Sequence, residues 1–220
     1  MEKSATIAIL FICLLFIYST SRVAADNVLS VYGENDSRLV KPNGKTDRHY
    51  THGGKVVFLT QPDWQWLADF AEWDVAEAGQ TVDTAVGFFI GQHIYTPDNI
   101  SRPARRKPKE MSFAGWLYTG MFAQRATDHQ LDHMELSIGV IGSSSQADNI
   151  QATIHQWLHS NDPTGWDDQI NDELAVDVTY VRKQRLLDGW FKPTSKTDAI
   201  AEYGFTAGSV HRHLQMGLTF

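Results

Sequence analysis

Hydrophobic and polar residues alternate one by one along several stretches of this 220-residue chain. In H-M-E-L-S-I-G-V, residues 133–140, polar or small residues occupy the odd positions and apolar residues the even ones. The stretches 82–90, 174–180 and 214–220 repeat the pattern. Because successive side chains of a strand point to opposite faces, this period of two predicts strands with one apolar face. The predicted strands lie at about 27–35, 49–60, 82–96, 114–126, 130–142, 172–186, 199–209 and 212–220.

Two architectures produce this alternation. A soluble β-sandwich buries the apolar faces, whereas a transmembrane β-barrel exposes them to lipid and keeps small and polar residues inside. A predicted export signal, polar faces rich in Gly, Ser and Thr, and aromatic residues near strand ends favour the barrel. These aromatic residues are Trp116, Tyr118, Trp190 and Phe191. The fold class that we predict is therefore all-β, an antiparallel transmembrane β-barrel with about eight visible strands.

Residues 1–25 are predicted to be a signal peptide, which leaves 26–220 as the exported domain. An apolar run at 7–18 leads to a small-residue exit at Ala25, as signal peptidase requires. An N-terminal membrane anchor is the alternative, but the run is too short to cross about 30 Å of hydrocarbon comfortably. Cleavage removes the only cysteine, Cys13, so disulfides and cysteine metal sites are excluded from the exported domain.

Two other segments differ from the strand pattern. One is a helix candidate near 62–78, on which Trp66, Phe70 and Trp73 share one side, and this predicts packing on the barrel rim. The other is the basic loop R-P-A-R-R-K-P-K at 102–109. Such a loop is most simply solvated, although at the outer surface it also suits lipid phosphates.

Charge and known motifs exclude several classes of protein. With 19 Lys+Arg and 26 Asp+Glu the net charge is -7, which excludes nucleic-acid binding through bulk charge. The chain contains no G-x-S-x-G elbow, no H-E-x-x-H helix and no phosphate-binding loop. The serines at 143–145 follow a glycine and predict a turn. Any hydrolytic chemistry would therefore come from polar groups that activate water.

A second helix is predicted near 147–159, and it carries Gln151, His155 and His159 four residues apart. Its apolar face consists of Ile150, Ile154, Trp157 and Leu158. A histidine beside such a face can be partly buried and act as a general base near neutral pH. A capping or solvent-facing histidine is one alternative. A zinc site on His155 and His159 is another, but no third ligand is evident.

Oxygen ligands occur at the ends of the first two predicted strands. Asn35 and Asp36 follow Glu34 at the end of the first, and a carboxamide beside a carboxylate suits a hard cation such as Ca²⁺. Thr51 lies in D-R-H-Y-T-H-G, residues 47–53, and would lie close to this pair if the two strands are neighbours. Ordinary turn chemistry is the alternative explanation for the Asn-Asp pair.

Seven short motifs follow one another along the chain. They are E-N-D, D-R-H-Y-T-H-G, I-Y-T-P-D-N-I-S-R-P, F-A-G-W-L-Y-T-G, S-I-G-V-I-G, Q-x-x-x-H and G-W-D-D-Q-I-N-D-E. In this order they resemble the LpxR-type outer-membrane lipid A 3'-O-deacylase family, from about residue 27 to the last residue. A-G-W-L-Y and G-W-D-D-Q-I-N-D-E are the most distinctive.

The resemblance implies an outer-membrane barrel that hydrolyses the ester-linked 3' acyloxyacyl group of lipid A in a Ca²⁺-dependent reaction. It assigns the general base to His155, with Gln151 one turn earlier, and the metal and oxyanion side to Asn35, Asp36 and Thr51. We therefore expect a bacterial outer-membrane esterase, monomeric, with lipopolysaccharide as its partner. A non-catalytic small barrel from the same family and a soluble exported sandwich are the alternatives.

The sequence departs from the family pattern at several positions. It has E-M-S-F at 110–113 where members have D-R-P-Y. Asp162 is the candidate for the family's acidic residue after the helix, and Lys107 and Lys109 lie nearest to its functional lysine. The family barrel has twelve strands and about eight are predicted here, so we expect a chain truncated at its C-terminus, with a small closed barrel of eight strands as the alternative.

Overall fold

The computed structural model describes residues 27–35, 49–72, 81–97, 100, 111–157, 159, 163–186 and 199–220. The predicted signal peptide, the basic loop at 102–109 and the residues Trp73, Trp190 and Phe191 therefore lie outside the described residues.

Eight antiparallel strands form a single sheet in which each strand pairs with its neighbours in sequence. The strands are β1 Val28–Asn35, β2 His49–Thr60, β3 Asp83–Thr96, β4 Ala114–Ala126, β5 Gln130–Ile141, β6 Glu173–Arg185, β7 Ile200–Gly208 and β8 Arg212–Thr219. Every boundary lies within one residue of its predicted position, which confirms the strand predictions. β1 and β8 form the two edges, and no ladder joins them within the described part of the chain.

The exposure of the two faces decides between the sandwich and the barrel. On β5 and β6 the small and polar residues Ser137, Ala175 and Asp177 are buried. The apolar residues that alternate with them face outward, and Leu136 and Ile138 are 48% and 46% exposed. A sandwich would bury the apolar set, whereas the wall of a transmembrane barrel exposes it to lipid. The antiparallel barrel architecture is therefore confirmed, and the sandwich does not fit.

Aromatic rings on the inward face lie opposite glycines of the neighbouring strand. In the β3–β4 ladder, Phe122 lies opposite Gly87, Phe89 opposite Gly120 and Tyr118 opposite Gly91. Phe89 and Phe122 also stack, with ring centroids 6.3 Å apart. A Cβ on Gly87 would overlap the ring of Phe122, so the inner layer needs both the rings and the glycines.

The prediction that Trp116 and Tyr118 are membrane-interface aromatics is wrong. Both rings belong to the inward set of β4 and are only 4% exposed. They stack on each other with centroids 4.1 Å apart, and Trp116 also meets the His211 ring edge-on at 5.3 Å. The prediction relied on proximity to a strand end. Successive side chains of a strand point to opposite faces, so the face of a side chain depends on whether its position is odd or even along the strand.

Two α-helices lie at the predicted places: α1 spans Gln65–Glu72 and α2 spans Ala147–Trp157. On α1 the buried residue is Leu67, whereas Trp66, predicted to pack on the rim, is 43% exposed. The carbonyl of Phe70 accepts a hydrogen bond from Arg125 Nη1 at 3.2 Å and so ties α1 to β4. No helix in the described ranges is long and apolar enough to cross a membrane.

We expect Gly87→Ala to destabilise the folded protein by about 1–3 kcal/mol, the usual cost of overpacking, because the added methyl group overlaps Phe122. Gly33→Ala is the matched control, since Gly33 also lies in a strand but a Cβ there meets nothing within 4 Å. Urea unfolding in detergent micelles, followed by tryptophan fluorescence, measures the difference. Equal unfolding midpoints for the two variants would contradict this account of the inner layer.

Candidate functional site

Helix α2 lies against the outward face of the sheet, at the ends of β3 and β4. Its first residue, Ala147, shares a buried cluster with Ile94 of β3, Phe113 and Trp166. Ile94 belongs to the outward set of β3, because it alternates with His93, which contacts the inward ring of Tyr118. The helix therefore covers a patch of the lipid-facing wall.

A glycine allows the start of α2 to approach the wall. A Cβ on Gly115 would overlap Ser145 and Ala147, so any larger residue there would push the helix away. From β3, Gln92 Nε2 donates a hydrogen bond to the carbonyl of Ser145 at 2.6 Å. The two strands thus hold the 3₁₀ turn Ser143–Ser145, which confirms the predicted turn and introduces α2.

Asp172 holds the same turn from the opposite side. Its Oδ1 accepts hydrogen bonds from the Ser144 backbone N–H at 2.8 Å and from Ser143 Oγ at 3.1 Å. Its Oδ2 accepts one from Ser144 Oγ at 2.6 Å. The hydrogen bonds from Ser144 lower the pKa of Asp172 below its usual range, so the carboxylate stays charged at neutral pH. The position of α2 is therefore set by both the wall and the segment that leads into β6.

The polar stripe of α2 faces the wall. The buried residues of the helix are Ala147, Gln151 and His155, and Gln151 and His155 are 2% and 6% exposed. Two residues of the predicted apolar face point the other way, since Ile150 is exposed and Trp157 is 77% exposed. A helix on a membrane barrel can turn its apolar side to lipid.

Trp166 fixes the carboxamide of Gln151. The indole Nε1–H donates a hydrogen bond to Gln151 Oε1 at 2.8 Å. The indole packs against Phe113 with ring centroids 4.9 Å apart, and a Cβ on Gly165 would overlap that phenyl ring. The other amide atom, Gln151 Nε2, is buried and has no hydrogen-bond partner among the described residues.

Thr51 lies on the wall that α2 covers. The β2–β3 pairing shifts between Tyr50 and His52, so Thr51 forms a bulge, a feature that often redirects a side chain near a functional site. Its hydroxyl is 2.6 Å from that of Thr96, and both threonines are buried. Thr96 shares the outward face of β3 with Ile94, which packs against α2.

Pairing of β1 with β2 places the backbone of Asn35 opposite His52, next to Thr51, as expected if the two strands are neighbours. The side chain of Asn35 and the whole of Asp36 lie outside the described residues, as do Asp162, Lys107 and Lys109. Among the described residues no group of three or more His, Cys, Asp and Glu side chains is placed to hold a metal ion.

The zinc alternative loses its geometric basis. It required His155 and His159 to share one face of a continuous helix, but α2 ends at Trp157. His159 lies beyond that end in a left-handed conformation, at φ 51°, and is exposed. The two imidazoles therefore lack the i,i+4 helical relationship on which the zinc interpretation rested.

A family model described as "Outer membrane protein LpxR" matches residues 9–220. The chain belongs to the LpxR family. A solved structure, "LpxR from Salmonella typhimurium", shares its fold with a TM-score of 0.61 at 18% sequence identity. The alignment covers 87% of this chain and 61% of that one, so the chain spans less than two thirds of the Salmonella structure. The comparison with curated proteins finds no match.

Three residues that build the site were missed by the sequence reasoning. Gly115 and Trp166 carry no ionisable group, and Asp172 is one of several acidic residues in its motif, yet the three position the helix and orient Gln151. The available signal was their location, because all three lie in A-G-W-L-Y or G-W-D-D-Q-I-N-D-E. The most distinctive motifs of this LpxR-family chain therefore support the site, while the predicted reactive groups lie elsewhere in the sequence.

We expect Asp172→Ala to speed hydrogen exchange of the Ser144 amide about tenfold, because a charge-assisted hydrogen bond is lost. Asp172→Asn should show a smaller change, since its remaining oxygen can still accept from that amide. Asp167→Ala, at an exposed carboxylate of the same motif, is the control. Hydrogen–deuterium exchange with mass spectrometry measures the effect. Unchanged exchange in Asp172→Ala would show that Asp172 does not hold the turn.

Proposed function

We propose that this member of the LpxR family is an outer-membrane ester hydrolase that removes the 3'-linked acyloxyacyl group from lipid A. The observation that carries the proposal is the burial of Gln151 and His155 between α2 and the outward, apolar wall of the sheet. Polar groups buried on the lipid-facing side of a membrane protein are costly and usually functional. Their placement suits a substrate whose acyl chains already lie in the membrane.

The reaction follows from the chemistry of these two groups. The imidazole of His155 takes a proton from a water molecule as the water oxygen bonds to the ester carbonyl carbon. The carbonyl oxygen becomes an oxyanion, and the tetrahedral intermediate collapses by breaking the bond to the sugar 3'-oxygen. The proton held by His155 passes to that oxygen, so the products are a sugar hydroxyl and a free acyloxyacyl acid.

Asn35 and Asp36 would hold the metal ion of this reaction, with Thr51 on the same side of the substrate. Amide and carboxylate oxygens suit Ca²⁺, and the ladder between β1 and β2, which pairs Asn35 with His52, supports the proximity of Asn35 to Thr51. When bound, Ca²⁺ supplies positive charge that polarises the ester carbonyl.

We expect His155→Ala to reduce acyl release by about 10²–10⁴-fold, the usual contribution of a general base. His159→Ala is the matched control, because His159 is an exposed histidine just beyond the same helix. The assay incubates detergent-purified protein with lipid A and Ca²⁺ and follows the loss of acyl mass by mass spectrometry. The proposal fails if the wild-type protein releases no acyl chain, or if His155→Ala releases it at the wild-type rate.

We expect a chelator to abolish the reaction and Ca²⁺ to restore it, because the donor set consists of hard oxygen ligands. Asp36→Asn should raise the Ca²⁺ concentration needed for half-maximal activity by about tenfold or more, since it removes the charged ligand. Full activity in the presence of chelator would rule out the metal role, and restoration by Zn²⁺ alone would point to a different ligand set.

The alternative function is that of a non-catalytic outer-membrane barrel, structural or binding. Membrane integration without acyl release would support this alternative, and the same mass-spectrometric assay distinguishes the two.

A further inference from the structure

The contact between Trp166 and Gln151 determines which way the carboxamide points. An indole N–H can donate a hydrogen bond but cannot accept one. The atom that lies 2.8 Å from Trp166 Nε1 must therefore be the amide oxygen of Gln151. The oxygen and nitrogen of a glutamine side chain are otherwise hard to tell apart, and here the chemistry of the partner settles the assignment.

With its oxygen paired to Trp166, the group of Gln151 that still lacks a partner is the donor Nε2. Gln151 is 2% exposed, and its Nε2 has no hydrogen-bond partner among the described residues. A buried N–H group without an acceptor is unfavourable and rare in folded proteins. Such a donor indicates a missing acceptor, and because Gln151 and His155 lie one turn apart on the buried face, that acceptor would bind beside the imidazole.

We propose that Trp166 is a positioning residue, which holds the carboxamide of Gln151 so that Nε2 donates a hydrogen bond to the carbonyl oxygen of the ester substrate. The proposal rests on the esterase function proposed above and adds a protein donor for the oxyanion. A donor that is already oriented stabilises charge in the transition state without the cost of reorganisation.

The structure keeps Trp166 itself in place. The indole is buried and packs against Phe113, and it opens the 3₁₀ turn Trp166–Asp168. Just after this turn, the Ile170 N–H donates to the Phe113 carbonyl at 3.2 Å. These contacts anchor the segment next to β4. The indole is therefore fixed relative to the sheet, and it fixes the orientation of Gln151 in turn.

A double-mutant cycle separates positioning from simple packing. Trp166→Phe keeps an aromatic ring against Phe113 but removes the N–H. We expect it to lower kcat about tenfold with little change in KM, and Gln151→Ala to lower kcat about 100-fold, as for loss of one oxyanion donor. If Trp166 acts through Gln151, the double variant is no slower than Gln151→Ala.

Fully additive losses would overturn the proposal, as would wild-type kcat in Trp166→Phe. Trp157→Phe, at an exposed tryptophan of α2, is the control.

Gln151→Glu tests the donor directly. A carboxylate still accepts the hydrogen bond from Trp166, but it has no N–H to donate. We expect this variant to lose activity like Gln151→Ala, while the indole N–H resonance of Trp166 stays at or downfield of its wild-type position in a ¹⁵N–¹H NMR spectrum, because a carboxylate is the stronger acceptor. Gln151→Ala should shift that resonance upfield. An active Gln151→Glu would overturn the donor role.

The NMR measurement also keeps this proposal distinct from the esterase function. If the wild-type protein releases no acyl chain, the esterase function fails. The indole resonance still tests the hydrogen bond between Trp166 and Gln151, because that measurement does not depend on activity. A resonance that does not move in Gln151→Ala would show that Trp166 does not hold the carboxamide, whatever the activity.

Discussion

The constraint on which the structure depends is the continuous backbone ladder of eight strands with its apolar face outward. Backbone groups that lie in lipid must be paired within the protein, and a sheet of neighbouring antiparallel strands pairs them along its length. The inward face then carries the small and polar residues, with Ser137 and Asp177 buried and Leu136 exposed. Helix α2 follows the same rule, because it lies on this outward wall, buries Gln151 and His155, and leaves Trp157 exposed. Its amphipathic pattern is therefore the reverse of that of a helix on a soluble core.

The candidate site results from the way this wall receives the helix. Gly115 leaves room for its first residue, Gln92 holds the carbonyl of Ser145, and Asp172 accepts three hydrogen bonds from the turn. These anchoring residues lie on β3, on β4 and in the segment before β6. Three separate parts of the chain therefore fix the position of the helix. Anchoring from several sides is what a reactive pair needs, since small displacements of catalytic groups reduce rates strongly.

Membership of the LpxR family and the geometry of the site agree with each other. An outer-membrane enzyme that acts on a lipid benefits from a site on its lipid-facing side, because the acyl chains remain in the membrane while the ester is hydrolysed. In the proposed reaction, the imidazole of His155, the Nε2 donor of Gln151 and the metal ligands Asn35 and Asp36 would act on one ester. The residues that support them, Trp166 and Asp172, belong to a single motif, residues 165–173.

The sequence by itself determined the strands and the barrel class, because a period of two is a local property that each strand carries independently of its neighbours. It also located α2 and brought Gln151 and His155 together, since their spacing is one helical turn. Only the tertiary structure decided which faces are buried: Trp116 turned inward, and Trp157 turned outward. The hydrogen bond between Trp166 and Gln151 joins residues 15 apart, and that between Thr51 and Thr96 joins residues 45 apart. Contacts of this kind depend on how elements pack and on the position of one bulge, and no periodicity along the chain encodes them.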